Sequence, residues 1–144
     1  MMLKKISKGK LYALDTMVFI YFLERHPSHY TTAKTLFQRI EKGEIRAVIS
    51  SLIFAELLVP IYRNKDIKQA ETIFRLLSNF PNMHIVSVTP QISVRAAQIR
   101  SIHGMRTPDA IHAATALEAS ADAIITRDKE FQKIQEMINV IWFE

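Results

Sequence analysis

Between Leu11 and Glu24 the chain reads Leu-Tyr-Ala-Leu-Asp-Thr-Met-Val-Phe-Ile-Tyr-Phe-Leu-Glu, an apolar run with a single carboxylate, Asp15, inside it. An unpaired buried carboxylate is very costly unless a cation or hydrogen-bond donors compensate it. The least costly arrangement ends a buried strand at Asp15 and begins a helix at Thr16, so that the acid points out at the carboxyl edge of a sheet. Open α/β sheets bind their ligands at that edge. An Asp in this place also serves as an ordinary N-cap for the helix behind it, and the run alone leaves both roles open. Three further carboxylates elsewhere in the chain weigh against a cap alone.

The rest of the chain alternates strand and helix. Residues 11–15 predict a buried strand and 16–24 a short helix, broken at His26-Pro27 because proline disfavours helix in the residue before it. Ala33, Leu36, Phe37 and Ile40 predict an amphipathic helix stopped by Gly43. Ile45 to Ser50 is β-branched and alternating enough for a second strand. A helix over 53–62 follows despite Pro60, and Asp66 is placed to cap another with Ala70, Ile73, Phe74 and Leu77 on one face. Asn79-Phe80-Pro81-Asn82 predicts a turn and 83–88 a third strand. Thr89-Pro90 pairs an N-cap with proline at the first helical position and opens a helix to Gly104; Thr107-Pro108 repeats that signature. Behind it, Ala110, Ala113, Ala114 and Leu117 form a small-residue stripe that lets a helix lie close to a sheet. Residues 121–126 and 139–143 predict the last two strands, joined by a loop and helix over 128–138. The other phenylalanines and methionines fall on apolar stripes and are expected in the core. The sum is an α/β fold with a mostly parallel sheet covered on both faces.

The 144 residues suit one domain over 1–144, and 49% hydrophobic content with a mean hydropathy of +0.05 marks it as globular. The absence of cysteine excludes disulfides and thiolate metal sites and fits an intracellular protein. Met1-Met2-Leu3-Lys4-Lys5 resembles the start of a signal peptide, but the stretch behind it is broken by Asp15, ends in Glu24-Arg25 and has no small-residue cleavage site. No run approaches the length of a membrane-spanning helix. With only three glycines there is no G-x-G-x-x-G and no Walker loop, which sets aside dinucleotide and NTP enzymes. A phosphoryl-aspartate hydrolase would want an acid where Met17 stands, and a receiver domain would want one within Val86-Ser87-Val88-Thr89-Pro90.

Three more carboxylates are expected at the same edge as Asp15. Glu56 lies about a turn and a half into the helix after the second strand, Asp109 in the first turn of the helix before the fourth, and Asp128 two residues past the fourth. Each has an ordinary explanation, since an early helical Asp stabilises the dipole and an Asp after a strand is often a turn residue. Glu56, between Ala55 and Leu57, is the hardest to explain as a solvated side chain. Four carboxylates gathered without a cation would repel, and some would have to protonate. All-oxygen ligands with no cysteine and no required histidine favour Mg²⁺ or Mn²⁺ over Zn²⁺. The formal charge is +5, and setting these four aside leaves ten of the fourteen acids against nineteen basic side chains. A basic shell around an acidic pocket suits a nucleic acid.

Leu14-Asp15-Thr16, Ser50-Ser51-x4-Glu56-Leu57, Thr107-Pro108-Asp109-Ala110-Ile111-His112-Ala113-Ala114-Thr115-Ala116 and Ala121-Asp122-Ala123-Ile124-Ile125-Thr126-Arg127-Asp128-x2-Phe131 together resemble the PIN domain, especially VapC-type toxins. The resemblance covers essentially the whole chain in order and spacing. It implies a three-layer α/β/α fold with sheet order 3-2-1-4-5. It also implies a Mg²⁺- or Mn²⁺-dependent ribonuclease, with one or two ions held by Asp15, Glu56, Asp109 and Asp128 and with Thr16 and Thr126 supporting them. Cleavage by metal-activated water attacking in line would leave 5′-phosphate and 3′-hydroxyl ends. RNA is the implied substrate, with structured RNA such as tRNA or rRNA in view; a cytoplasmic homodimer and a small protein antitoxin are implied too. Arg106, Arg127 and Lys129 flank the acids and are candidates for binding RNA phosphates, or are simply solvated charges. His112 is expected to be packed, with donation to a bound water or phosphate as the alternative. Met17 departs from the family, which usually has a small polar residue there, and a thioether donates no hydrogen bond. A missing contact of that kind weakens metal binding or activity by about 10–100-fold. The alternative reading is therefore a catalytically weak RNA-binding or interaction module of the same fold, or a PIN ribonuclease that is not a toxin.

Overall fold

The computed structural model describes residues 2–144. Strand β1 (Leu11–Leu14) turns at Asp15 into α1 (Thr16–Leu23), and α2 (Tyr30–Glu41) precedes β2 (Arg46–Ser50). Helices α3 (Leu52–Arg63) and α4 (Ile67–Ser78) lead to β3 (Met83–Val86), and α5 (Pro90–His103) and α6 (Thr107–Glu118) lead to β4 (Ala123–Thr126). A 3-10 segment, Lys129–Ile134, connects to β5 (Val140–Trp142). The strands form one sheet in the order β3-β2-β1-β4-β5, and every neighbouring pair is parallel. The α/β class and the strand order match expectation, and the sheet is wholly rather than mostly parallel.

Successive strand side chains face opposite sides, which sorts the core into two halves. Tyr12, Leu14, Ala47, Ile49, Ala123 and Ile125 face the cluster formed with α1 to α4. Ala13, Val48 and Ile124 face a second cluster with α5, α6, Phe131 and Ile134. Covering both faces is what a parallel sheet requires, and it explains why these strands read as continuous apolar runs. Among the described residues, no helix is long and apolar enough to cross a membrane.

Several local signals act as read. Thr89 Oγ1 accepts from the Ile92 N–H at 3.2 Å and Asp66 Oδ1 from the Gln69 N–H at 3.1 Å, capping α5 and α4. Gly104 closes α5 at φ 67°, a left-handed conformation that glycine adopts without a Cβ clash.

Other expectations need correction. Thr107 is not a cap: α6 begins at Thr107 itself, and its N-cap is Arg106, whose side chain makes no capping bond because it is engaged elsewhere. The third strand stops at Val86, since the Val88 N–H donates to the Ser51 hydroxyl rather than to a neighbouring strand. The fourth strand begins at Ala123, because Asp122 binds back to both backbone groups of Leu11. The helix expected over 53–62 runs from Leu52 to Arg63 with Pro60 inside it. Phe74 and Met137 are not core residues, being 50% and 40% exposed. Phe74 lies off the buried stripe of Ala70, Ile73 and Leu77 and instead meets the Phe54 ring at 5.0 Å.

Candidate functional site

All five strands point the same way, so the segments that follow them emerge on one edge. Asp15 stands there as the N-cap of α1, only 4% exposed. Its Oδ1 accepts from the Thr16 N–H at 2.8 Å and its Oδ2 from the Thr126 hydroxyl at 2.8 Å. The cap role and the edge position thus coexist. Thr126, the last and fully buried residue of β4, also accepts from the Asp128 N–H at 3.0 Å. One hydroxyl therefore ties Asp15 to the loop that carries Asp128.

Glu56 is brought in by α3, whose start is secured by two serines: Ser50 Oγ accepts from the Leu52 N–H at 3.1 Å, and Ser51 Oγ binds the Val88 N–H at 3.3 Å. The carboxylate reaches back to the head of α1, where its Oε1 accepts from the Thr16 hydroxyl at 2.7 Å. The same oxygen meets His112 Nε2 at 2.5 Å, and that nitrogen lies 3.2 Å from Thr16 Oγ1. His112, 3% exposed, is thus not merely packed; it joins α6 to α3 through a carboxylate. Its place three residues after Asp109, on nearly the same helical face, was the available signal.

Asp109, in the first turn of α6 and 5% exposed, and Asp128, at the N-cap of the 3-10 segment, are joined by Arg106. Arg106 Nε donates to Asp109 Oδ2 at 3.0 Å and its Nη2 to Asp128 Oδ2 at 3.3 Å. Asp128 Oδ1 accepts from the Glu130 N–H at 3.0 Å. The three flanking basic residues therefore differ. Arg106 grips the acids, Arg127 extends to the Phe143 carbonyl at 3.5 Å, and Lys129 is exposed on the following turn.

The acids titrate as neighbours. Burial pushes Asp15 up from the ordinary carboxylate range, with the Glu56 charge adding to it, against the opposing His112 charge and the Thr126 and Thr16 hydrogen bonds. Burial also raises Asp109, to about 6, helped by the charge of Asp128 and opposed by Arg106. Burial also presses on Glu56, but its hydrogen bonds from His112 and Thr16 and the charges of His112 and Arg106 carry it below the ordinary value. For His112 burial favours the neutral ring; the bond to Glu56 and the charges of Asp15, Glu56 and Asp109 outweigh it and raise its pKa.

The edge therefore holds more buried negative charge than its own donors neutralise, and the donors are hard oxygens of the kind Mg²⁺ and Mn²⁺ prefer. In donor type and charge the residues fit such an ion. In spacing they form two linked groups rather than a closed cage: among the described residues, no three carboxylate or imidazole groups stand close enough to hold a metal ion together. Met17 is partly buried against the core of α1 to α4, and the bonds to Asp15 come from Thr16 and Thr126 instead.

Residues 12–137 match the family model of the PIN domain. No curated protein sequence matches the chain. Among solved structures, VapBC-1 from nontypeable Haemophilus influenzae is similar at 26% identity, covering 92% of this chain and 96% of that one with a TM-score of 0.66. VapBC2 from Rickettsia felis, bound to a DNA fragment from its promoter, is similar at 19% identity, covering 93% and 99% with a TM-score of 0.70. VapC20 from Mycobacterium tuberculosis, described as a sarcin-ricin loop cleaving toxin, is similar at 15% identity, covering 78% and 86% with a TM-score of 0.63. The last two likenesses are of fold.

Proposed function

The chain belongs to the PIN domain family, and from that premise we propose that it is a divalent-metal-dependent endoribonuclease, the toxin of a toxin–antitoxin pair. The observation that carries this reading is the gathering of acids from four separate segments at one sheet edge, two of them buried at a raised pKa. Asp15, Glu56, Asp109 and Asp128 are the residues that would hold Mg²⁺ or Mn²⁺, as one ion or two. When bound, such an ion supplies Lewis acidity toward a phosphodiester and lowers the pKa of water.

The chain's own residues do the rest. Thr126 fixes Asp15 relative to Asp128, and Thr16 fixes Glu56 relative to Asp15. His112 clamps Glu56 Oε1, which leaves Oε2 as the free oxygen of that carboxylate. Arg106, Arg127 and Lys129 would take the phosphates on either side of the cut. RNA is the proposed polymer, with single-stranded loops of structured RNA such as tRNA or rRNA as its accessible targets. A small protein antitoxin, a homodimer and a cytoplasmic site of action complete the proposal. The similarity to VapBC structures supports the antitoxin.

The test is cleavage of total RNA with Mg²⁺ or Mn²⁺ and with EDTA, followed by analysis of the new ends. The expected result is cleavage that EDTA abolishes, with 5′-phosphate and 3′-hydroxyl products. Cyclic phosphates, or cleavage indifferent to EDTA, would contradict the proposal. Growth arrest on expression, relieved by Asp109→Ala, separates a toxin from a PIN ribonuclease with another duty. A second reading, an RNA-binding module that cuts weakly or not at all, is favoured by Met17. It calls for RNA binding that persists without cleavage and is unchanged by Asp15→Asn.

A further inference from the structure

Among the described residues, Arg106 is the one basic side chain that spans two of the four acids, and what it spans is what a cation would need. Asp109 and Asp128 both offer it Oδ2, at 3.0 and 3.3 Å. The other oxygen of Asp128 is already bound to the Glu130 N–H at 3.0 Å. Arg106 thus occupies the Asp128 oxygen that is not tied to the backbone of its own loop. A small dication and a guanidinium cannot both sit between the same two oxygens. Yet the Arg106 side chain is 66% exposed, whereas that of Asp109 is 6% exposed. The acid is fixed in the wall of the site and the arginine can leave it.

Building on the nuclease reading, we propose that Arg106 is an internal stand-in for the metal: it pairs Asp109 with Asp128 in the metal-free protein and is displaced when a divalent ion loads. The arm so released carries its charge and its five donors to the mouth of the site, where a backbone phosphate of the RNA takes the place of the two carboxylates. Arg106 is thus a positioning residue with two successive partners. Its two uses have opposite signs, which a purely structural role would not produce. The guanidinium lies largely in solvent, which screens its hold on the two acids, so the stand-in restrains metal binding without preventing it. Its position before Thr107-Pro108 serves the same end. As the N-cap of α6 it stands outside the first turn with extended backbone (φ −66°, ψ 152°), and no bond to the helix backbone adds to the two carboxylate contacts that hold its side chain.

The experiment titrates Mn²⁺ alone into the full chain by calorimetry, without RNA, for wild type, Arg106→Gln, Arg106→Lys and Arg95→Gln. Arg95 pairs with Glu118 at 2.7 Å, at the opposite end of α6 from Asp109, and controls for loss of one surface charge. RNA cleavage at saturating Mn²⁺ then gives KM and kcat separately. Arg106→Gln is expected to bind Mn²⁺ about three- to tenfold more tightly than wild type, while its KM for RNA rises. Arg106→Lys, whose point charge cannot bridge two carboxylates as a planar fork does, is expected to fall between them in metal affinity and to recover most of the KM. Arg95→Gln is expected to match wild type in both. Equal or weaker Mn²⁺ binding by Arg106→Gln, with wild type still binding the ion, would overturn the stand-in and leave the nuclease reading standing. Failure of Mn²⁺ to bind any of the four proteins would overturn the metal centre and the stand-in with it.

Discussion

The two halves of the acidic edge are built differently. Asp15 and Glu56 are held from inside, by Thr16, Thr126 and the buried ring of His112, all of them fixed by the packing of α1, α3, α6 and β4. Asp109 and Asp128 are held from outside, by a guanidinium that is itself mostly in solvent. The inner half carries a large part of its compensation with it. The outer half relies on a charge that another cation can replace. One part of the edge is therefore pre-organised and the other exchangeable, which is what an ion site needs if it is both to keep its shape and to load.

Removing one acid from each half tests both at once. Asp15→Asn and Asp109→Asn are each expected to reduce metal-dependent RNA cleavage by at least about a thousandfold, since a bound ion is worth several kcal/mol to the transition state. Retention of activity by either would show that its half does not serve the reaction. Next is Thr126→Val, which removes the single hydroxyl joining the two halves. It should cost about 10–100-fold in metal affinity, and about 1–3 kcal/mol of stability because the Asp128 N–H loses its acceptor.

Asp15, Glu56 and Asp109 should also differ in how they answer to pH. The folded-state pKa of Asp109 is raised from 3.8 to about 6, so the native protein holds that proton more tightly than the unfolded chain. Stability from this group is present below pH 4 and is lost as pH rises toward 6, for a total of about 2–3 kcal/mol. The raised Asp15 acts in the same sense, whereas Glu56, lowered, adds stability above its unfolded value and loses it as pH falls. Urea unfolding in EDTA should accordingly show Asp109→Asn more stable than wild type at pH 7.5 and indistinguishable from it at pH 3.5. A destabilised Asp109→Asn at pH 7.5 would mean that Arg106 already neutralises the outer half. A smaller contrast comes from His112: the Gln variant, which can still donate to Glu56, should retain more activity than the Ala variant. Smallest of all, Arg127→Gln should weaken RNA binding evenly across sequences and reduce the salt slope by about one.

The fold was largely readable because its cues are local. Thr89 and Asp66 cap the helices they precede, and the stripe Ala33, Leu36, Phe37, Ile40 is buried as spaced. A lone carboxylate in an apolar run pointed to Asp15 for the same reason: its cost is visible without neighbours. What the sequence left unread depends on contacts between distant segments. The bond from His112 to Glu56 exists only because α6 packs beside α3, and Arg106, Arg127 and Lys129 look alike until their directions are known. Phe74 has helical spacing with the α4 core residues yet lies half exposed, because the width of a buried face is set by what packs on it. The cap of α6 was misplaced by one residue since Thr107 and Arg106 both precede Pro108, and proline is tolerated anywhere in a helix's first turn.

Anomalous diffraction from crystals grown with Mn²⁺ would locate any ion held by the acidic edge. A manganese peak is expected at the carboxyl edge, bonded to Asp15 and Asp109, with the Arg106 guanidinium moved away from both outer carboxylates. No peak at that edge under saturating Mn²⁺, or an ion bound elsewhere with Arg106 still on Asp109 and Asp128, would contradict that expectation.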